Sequence, residues 1–205
     1  MLQTHDLCCQ RGDRLLFEDI NFSVSAGALL YIEGHNGSGK TTLLRTLCGL
    51  FLPERGTVLW NHTDTRKLGD EFREKLLYLG HHNGIKNDLT AIENLTFSTA
   101  LNGESASESS IWAALETIGL RGFEDLPTKM LSQGQKRRVA LAQLLLSQAS
   151  LWILDEPFTA LDVAAVDMLQ GILARHIANG GIVVLTTHQE VALTSGQVQR
   201  LKLGR

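Results

Sequence analysis

The octapeptide GHNGSGKT, Gly34 to Thr41, fits the pattern G-x-x-x-x-G-K-[ST]. Glycines at this spacing let successive backbone N–H groups turn toward one anion, and a helix beginning at the lysine adds the positive end of its dipole. The chemistry on offer is phosphate binding. Gly34, His35, Asn36, Gly37, Ser38 and Gly39 form the loop, and Lys40 reaches the β- and γ-phosphates. The Thr41 hydroxyl would ligate Mg²⁺, and Thr42 extends the contact. The competing reading is a glycine-rich turn; with glycine at ~7% of residues, chance produces the pattern in on the order of one chain in a hundred.

A second candidate is LWILDEP, Leu151 to Pro157, an apolar run ending in two carboxylates. Asp155 can hold Mg²⁺ through its water shell, and Glu156 then stands where a base would orient or deprotonate an attacking water. A third is LSQGQKRR, Leu131 to Arg138, in which Ser132 and Gln135 fit the S-x-x-Q capping box. That marks a helix N-terminus able to bind an anion, or else a well-capped surface helix whose KRR is an ordinary basic turn.

Such groups need rigid elements to position them. ALLYIEG ending at Gly34 and TTLLRTLCGL stopping after Gly49 read as strand and helix on either side of the phosphate loop. RLLFEDINFSVSAG and GTVLW read as strands of an antiparallel edge beside the main sheet. From about Asn83 to Gln148 the periodicity turns helical, in SIWAALETIGL and KRRVALAQLLLSQ, with NGESASESS as a loop between helices. LWILDEP and GIVVLTTH, separated by the helical VAAVDMLQGILARHIANG, return to a βαβ core. The expected fold is α/β: a P-loop nucleotide triphosphatase sheet with an antiparallel edge and an inserted helical subdomain. It forms a single domain over residues 1–205, with residues 1–82 and 151–205 as nucleotide-binding core and 83–150 as helical subdomain.

The bulk properties agree with this class. A chain of 205 residues with 43% hydrophobic and 20% charged residues and a net charge of -3 is that of an ordinary globular protein without a general attraction to nucleic acid. Three cysteines, two of them adjacent, make a poor disulfide framework and suggest a reducing compartment. No signal-like leader and no membrane-length apolar run is visible, so membrane association is expected through partners.

Taken together, GHNGSGKT, LSQGQ, LWILDEP, TALD (Thr159 to Asp162) and His188 in TTHQE resemble, in order and spacing, the ATP-binding cassette ATPases. The resemblance spans essentially the whole chain. It implies an ATP- and Mg²⁺-dependent ATPase working as a head-to-tail homodimer, each ATP lying between the P-loop of one subunit and the signature of the other. It further implies that Ser132, Gln133, Gly134 and Gln135 address the partner-held ATP, that Asp162 bridges the two sites and that His188 contacts the γ-phosphate. Catalysis would then rest on Glu156, His188 and Lys40.

Two departures from the family pattern are informative. Arg11 stands where an adenine-stacking aromatic is usual; a guanidinium plane can stack on a base, with weaker discrimination among nucleotides. In GHHNGIKNDLTAIENL, His81 stands in place of the glutamine that links the Mg²⁺ site to the membrane partner. An imidazole suits hard Mg²⁺ poorly, so His81 is expected to act through water or the γ-phosphate. An imidazole also changes charge near neutral pH, which would make coupled turnover pH-sensitive. Within the family this stretch most resembles the ATP-binding subunits of bacterial cytochrome c biogenesis haem exporters. That resemblance implies integral membrane subunits as partners, a peripheral place on the cytoplasmic face of the inner membrane and no direct nucleic-acid contact. The alternatives are another small exporter, a soluble cassette acting on nucleic acid or ribosomes, and direct haem or zinc ligation by His81 and His82, for which no ligand spacing is present.

Overall fold

The structure, a computed structural model, describes residues 1–187 and 196–204. Strands β1 (Leu2–Arg11), β2 (Arg14–Val24), β4 (Arg55–Trp60) and β5 (Thr63–Asp64) form an antiparallel sheet in the order β2-β1-β4-β5. Strands β3 (Ala28–Glu33), β6 (Leu76–Leu79), β7 (Leu151–Asp155), β8 (Ile182–Thr186) and β9 (Gln197–Lys202) form a parallel sheet in the order β6-β7-β8-β3-β9. The antiparallel strands expected beside the main sheet thus make a sheet of their own.

β7 and β8 are buried along their whole length, which explains their continuous apolar sequence: a parallel sheet is covered on both faces. Alternate residues serve two cores. Leu30, Ile32, Ile153 and Val184 pack with Leu43, Leu44 and Leu47 of α1 (Lys40–Leu47) and with the antiparallel sheet. On the other face Leu29, Trp152, Leu154 and Val183 pack with Leu169, Leu173 and Ile177 of α7 (Val163–Ala178). Each fully buried leucine or isoleucine contributes about 1.5–3 kcal/mol of apolar transfer. These two layers therefore fix where the loops at the strand ends can go.

Short helices α2 (Thr65–Leu68) and α3 (Asp70–Arg73) lead into β6. Helices α4 (Ala91–Leu101), α5 (Glu108–Thr117) and α6 (Gln133–Leu146) enclose a third core around Leu95, Ile111, Leu115, Ile118 and Val139. α6 also sends Leu141 and Leu144 into the core shared with α7, so it belongs to both bodies of structure. Its start is fixed as the spacing predicts: Ser132 Oγ accepts from Gln135 N at 3.2 Å, and Ser132 N donates to Gln135 Oε1 at 2.9 Å. Thr90 and Glu93 build the same reciprocal box at the start of α4. Among the described residues no helix is long and apolar enough to cross a membrane.

Candidate active site: the P-loop cleft

The loop from β3 into α1 is shaped by backbone that only glycine enters freely. At Gly34, with φ 155°, an added Cβ would lie 2.5 Å from Ser38 Oγ and 2.7 Å from the Leu203 carbonyl oxygen. Gly39, the N-cap of α1, has φ 98° and no side chain with which to cap the helix, and the first turn of α1 holds no acidic residue. Its first N–H groups therefore lack the local partners that the helices α4 and α6 supply for themselves, and an anion is their natural acceptor. Lys40 is buried, and its Nζ donates to the carbonyl oxygens of Gly34 at 2.7 Å and His35 at 3.3 Å, which holds the ammonium over the loop.

Opposite the loop, the end of β7 presents its two carboxylates. Thr41 Oγ1 donates to Asp155 Oδ2 at 2.8 Å, and Thr186 Oγ1 donates to Asp155 Oδ1 at 2.7 Å. Thr186 Oγ1 in turn accepts from Glu156 N at 3.0 Å. Glu156 has left-handed backbone, φ 49°, a conformation that costs a non-glycine residue on the order of 1 kcal/mol or more and is found where surrounding structure enforces it.

Lys40, Thr41, Thr42, Asn36, Asp155 and Glu156 line one cleft of about 550 Å³. Arg11 and Arg14 line it too: they face each other across the two-residue turn between β1 and β2, and Arg14 Nη2 donates to the Gly37 carbonyl at 3.3 Å. Oxygen donors with lysine and arginine beside them suit a triphosphate with a hard divalent cation. His81 lines this cleft and also a neighbouring groove of about 610 Å³ walled by Arg45, Tyr78, Phe97 and Leu101. The rings of His81 and His82 meet edge to face at 5.6 Å between centroids, and both residues are exposed.

The signature residues lie elsewhere in the chain's surface. Ser132, Gln133, Gly134 and Gln135 are absent from the lining of the P-loop cleft. Ser132 and Gln133 are exposed, while Gly134 packs so closely that a Cβ would meet the Ala160 carbonyl at 3.0 Å. Asp162 caps α7 by accepting from Ala165 N at 2.9 Å and pairs with Arg138 Nη2 at 2.6 Å. His188 lies outside the described residues.

Besides Arg14 of the cleft wall, two residues of the site escape the sequence reading. Thr186 is one, since a threonine in an apolar strand reads as ordinary β-former. Arg137 is the other: the middle residue of KRR is 4% exposed, not a solvated basic turn. The available signal was its position, on the same helical face as the buried Ala140, Leu141 and Leu144.

With the geometry in place, likeness to known proteins becomes informative. The ABC transporter family profile matches residues 17–159. The cytochrome c biogenesis ATP-binding export protein CcmA of Nitrosomonas europaea is 55% identical, the match covering 99% of this chain and 95% of that relative. Among solved structures, a putative ABC transporter ATP-binding protein from Pyrococcus furiosus superposes with TM-score 0.84 at 26% identity, covering 98% of this chain and 96% of the other. A dimeric bacterial ABC transporter cassette matches with TM-score 0.84 at 25% identity, covering 100% and 97%. The chain therefore belongs to the ABC transporter family, as an ATP-hydrolysing cassette of the cytochrome c biogenesis ATP-binding export proteins.

Proposed function

We propose that the chain is the ATPase subunit of a haem-exporting membrane complex of cytochrome c biogenesis, acting as a head-to-tail homodimer on the cytoplasmic face of the inner membrane. The observation that carries the catalytic part is the contact of Thr41 with Asp155 in the cleft that Lys40 and Glu156 also line. Backbone N–H groups of the loop and the N-terminus of α1 bind the phosphates, and Lys40 places its ammonium against them. Thr41 and Asp155 supply the oxygen donors that would hold Mg²⁺, whose charge would offset that of the β- and γ-phosphates. Glu156 orients the attacking water and takes its proton.

The separation of Ser132 from the P-loop cleft within one chain supports assembly: the second half of each ATP site has to come from another subunit. A dimeric solved cassette of the same fold favours the same arrangement. The groove beside His81, walled in part by Phe97 and Leu101, is the natural seat for a membrane subunit, with His81 shared between that seat and the ATP cleft. Export of haem follows the resemblance to the cytochrome c biogenesis relatives.

Glu156→Gln tests the centre of this reading. The variant should bind ATP as the parent does, accumulate as a closed dimer on size exclusion, and lose about 10²- to 10⁴-fold in turnover. Hydrolysis at the parent rate would reject Glu156 as the base. Purification of the intact membrane complex, with haem measured in its fractions, tests the cargo.

A further inference from the structure

Arg137 makes more hydrogen bonds across the site than any residue assigned so far, and no role has been given to it. Its Nε donates to the Pro157 carbonyl at 3.3 Å. Nη1 donates to the Gly80 carbonyl at 3.3 Å and to Asn83 Oδ1 at 3.1 Å. Nη2 donates to the carbonyls of Asp155 at 3.2 Å and Glu156 at 2.8 Å. Every one of these acceptors is neutral.

A cation taken out of water is costly unless oxygens replace its hydration. Desolvation accordingly pulls the Arg137 guanidinium down from its ordinary value, against the nearby charges of Asp155 and Glu156. Hydrophobic residues would fill the same space more cheaply, so the placement calls for a reason beyond packing. The acceptors supply one, because they fall into two segments. Gly80 and Asn83 bracket His81 in the loop that faces the groove. Asp155 ends β7 and Glu156 and Pro157 follow it, Glu156 being the left-handed residue that carries the base. The planar fork of a guanidinium can serve both segments at once, which the point charge of a lysine cannot. The fork is rooted in α6, whose first residues are the signature.

We propose that Arg137 is a positioning residue for hydrolysis: its guanidinium straps the His81 loop to the backbone of Glu156. A shift of that loop, or of α6, is thereby passed to the base through one side chain. The strap holds Glu156 in the strained backbone that aims its carboxylate into the cleft, and slackening it misplaces the base without altering the phosphate loop. The proposal rests on Glu156 being the base.

The test uses the purified homodimer with MgATP. Arg137→Gln should lower kcat by about 10- to 100-fold, the scale of a misplaced catalytic group, while KM for ATP stays within about threefold. Arg137→Lys, which keeps the charge and loses the fork, should not restore the rate. Asn83→Ala removes one strap contact without touching the buried helix face, so it serves even if Arg137→Gln folds poorly; it too should lower kcat with KM unchanged. The double variant should be no slower than Arg137→Gln alone, since both cut the same strap. An unchanged kcat in Asn83→Ala, full rescue by lysine, or additive losses in the double variant would each overturn the strap. Glu156→Gln run alongside separates the two readings: parent-rate turnover there rejects the base, whereas loss there with unchanged kcat in Asn83→Ala rejects the strap alone.

Discussion

Thr41 and Asp155 come from opposite ends of the chain's core and meet at 2.8 Å, hydroxyl to carboxylate. The second oxygen of Asp155 is taken by Thr186 at 2.7 Å, so two hydroxyls set the plane of one buried carboxylate. Three secondary-structure elements, α1, β7 and β8, therefore have to be in register before the site has its shape.

Thr186→Val keeps the volume and removes the hydroxyl. It leaves Asp155 Oδ1 without its donor and Glu156 N without its acceptor. Denaturant titration should show a loss of about 1–3 kcal/mol, the cost of leaving buried polar groups unpaired. ATPase activity should fall by more than the change in folded fraction accounts for. Unchanged stability would mean that water takes over both partners.

Lys40→Ala removes the ammonium poised over Gly34 and His35. Turnover should drop about 10²- to 10³-fold, the usual scale for one electrostatic group acting on developing charge. Steady-state hydrolysis measures it, and parent-like activity would count against the P-loop assignment.

Asp162 allows two effects to be separated. Asp162→Asn keeps an N-cap acceptor for Ala165 N and loses the charge facing Arg138, whereas Asp162→Ala loses both. Because the pair is partly exposed, the charge alone should cost less than about 1 kcal/mol, and loss of the cap should add about 1 kcal/mol. Urea midpoints of the two variants decide it; equal midpoints would show that the cap contributes nothing.

His176 gives a pH dependence of stability. Its ring stacks on Trp152 with centroids 3.7 Å apart and planes 8° from parallel. Burial pulls its pKa below the ordinary histidine value, against weaker opposing hydrogen bonds that the ring gives to the main chain at Ile182 and Ser150. The native chain then binds fewer protons than the unfolded one over that interval, so stability rises with pH there. The contribution is complete above about pH 6.5 and is lost as pH falls through the lowered value. Melting temperatures of parent and His176→Phe should converge in slope above that pH and diverge below it. Parallel curves throughout would remove the effect.

Much of this site could be read from residue order, and the reasons are local. β3, β7 and β8 declare themselves because burial on both faces demands unbroken apolar runs, and the box at Ser132 because capping is decided within four residues. β1 did not, since register shifts around Leu7, Cys8 and Cys9 put three consecutive residues inside and erase the alternation a strand is recognised by. β9, at the edge of the parallel sheet beside β3, is largely exposed and carries no apolar run. Arg14, Thr186 and Arg137 became legible only once residues distant in sequence were brought together.

The capping of Ser132 also sets the polarity of the signature. A hydroxyl has one proton and two lone pairs, and here the oxygen is engaged by its own helix through Gln135 N. What remains is the proton and a single lone pair, so the exposed hydroxyl can still give a hydrogen bond to another molecule. An aspartate in the same place would cap the helix equally well and turn a carboxylate toward any approaching phosphate. The fold of the single chain would tolerate that exchange, and the closed dimer proposed above would not.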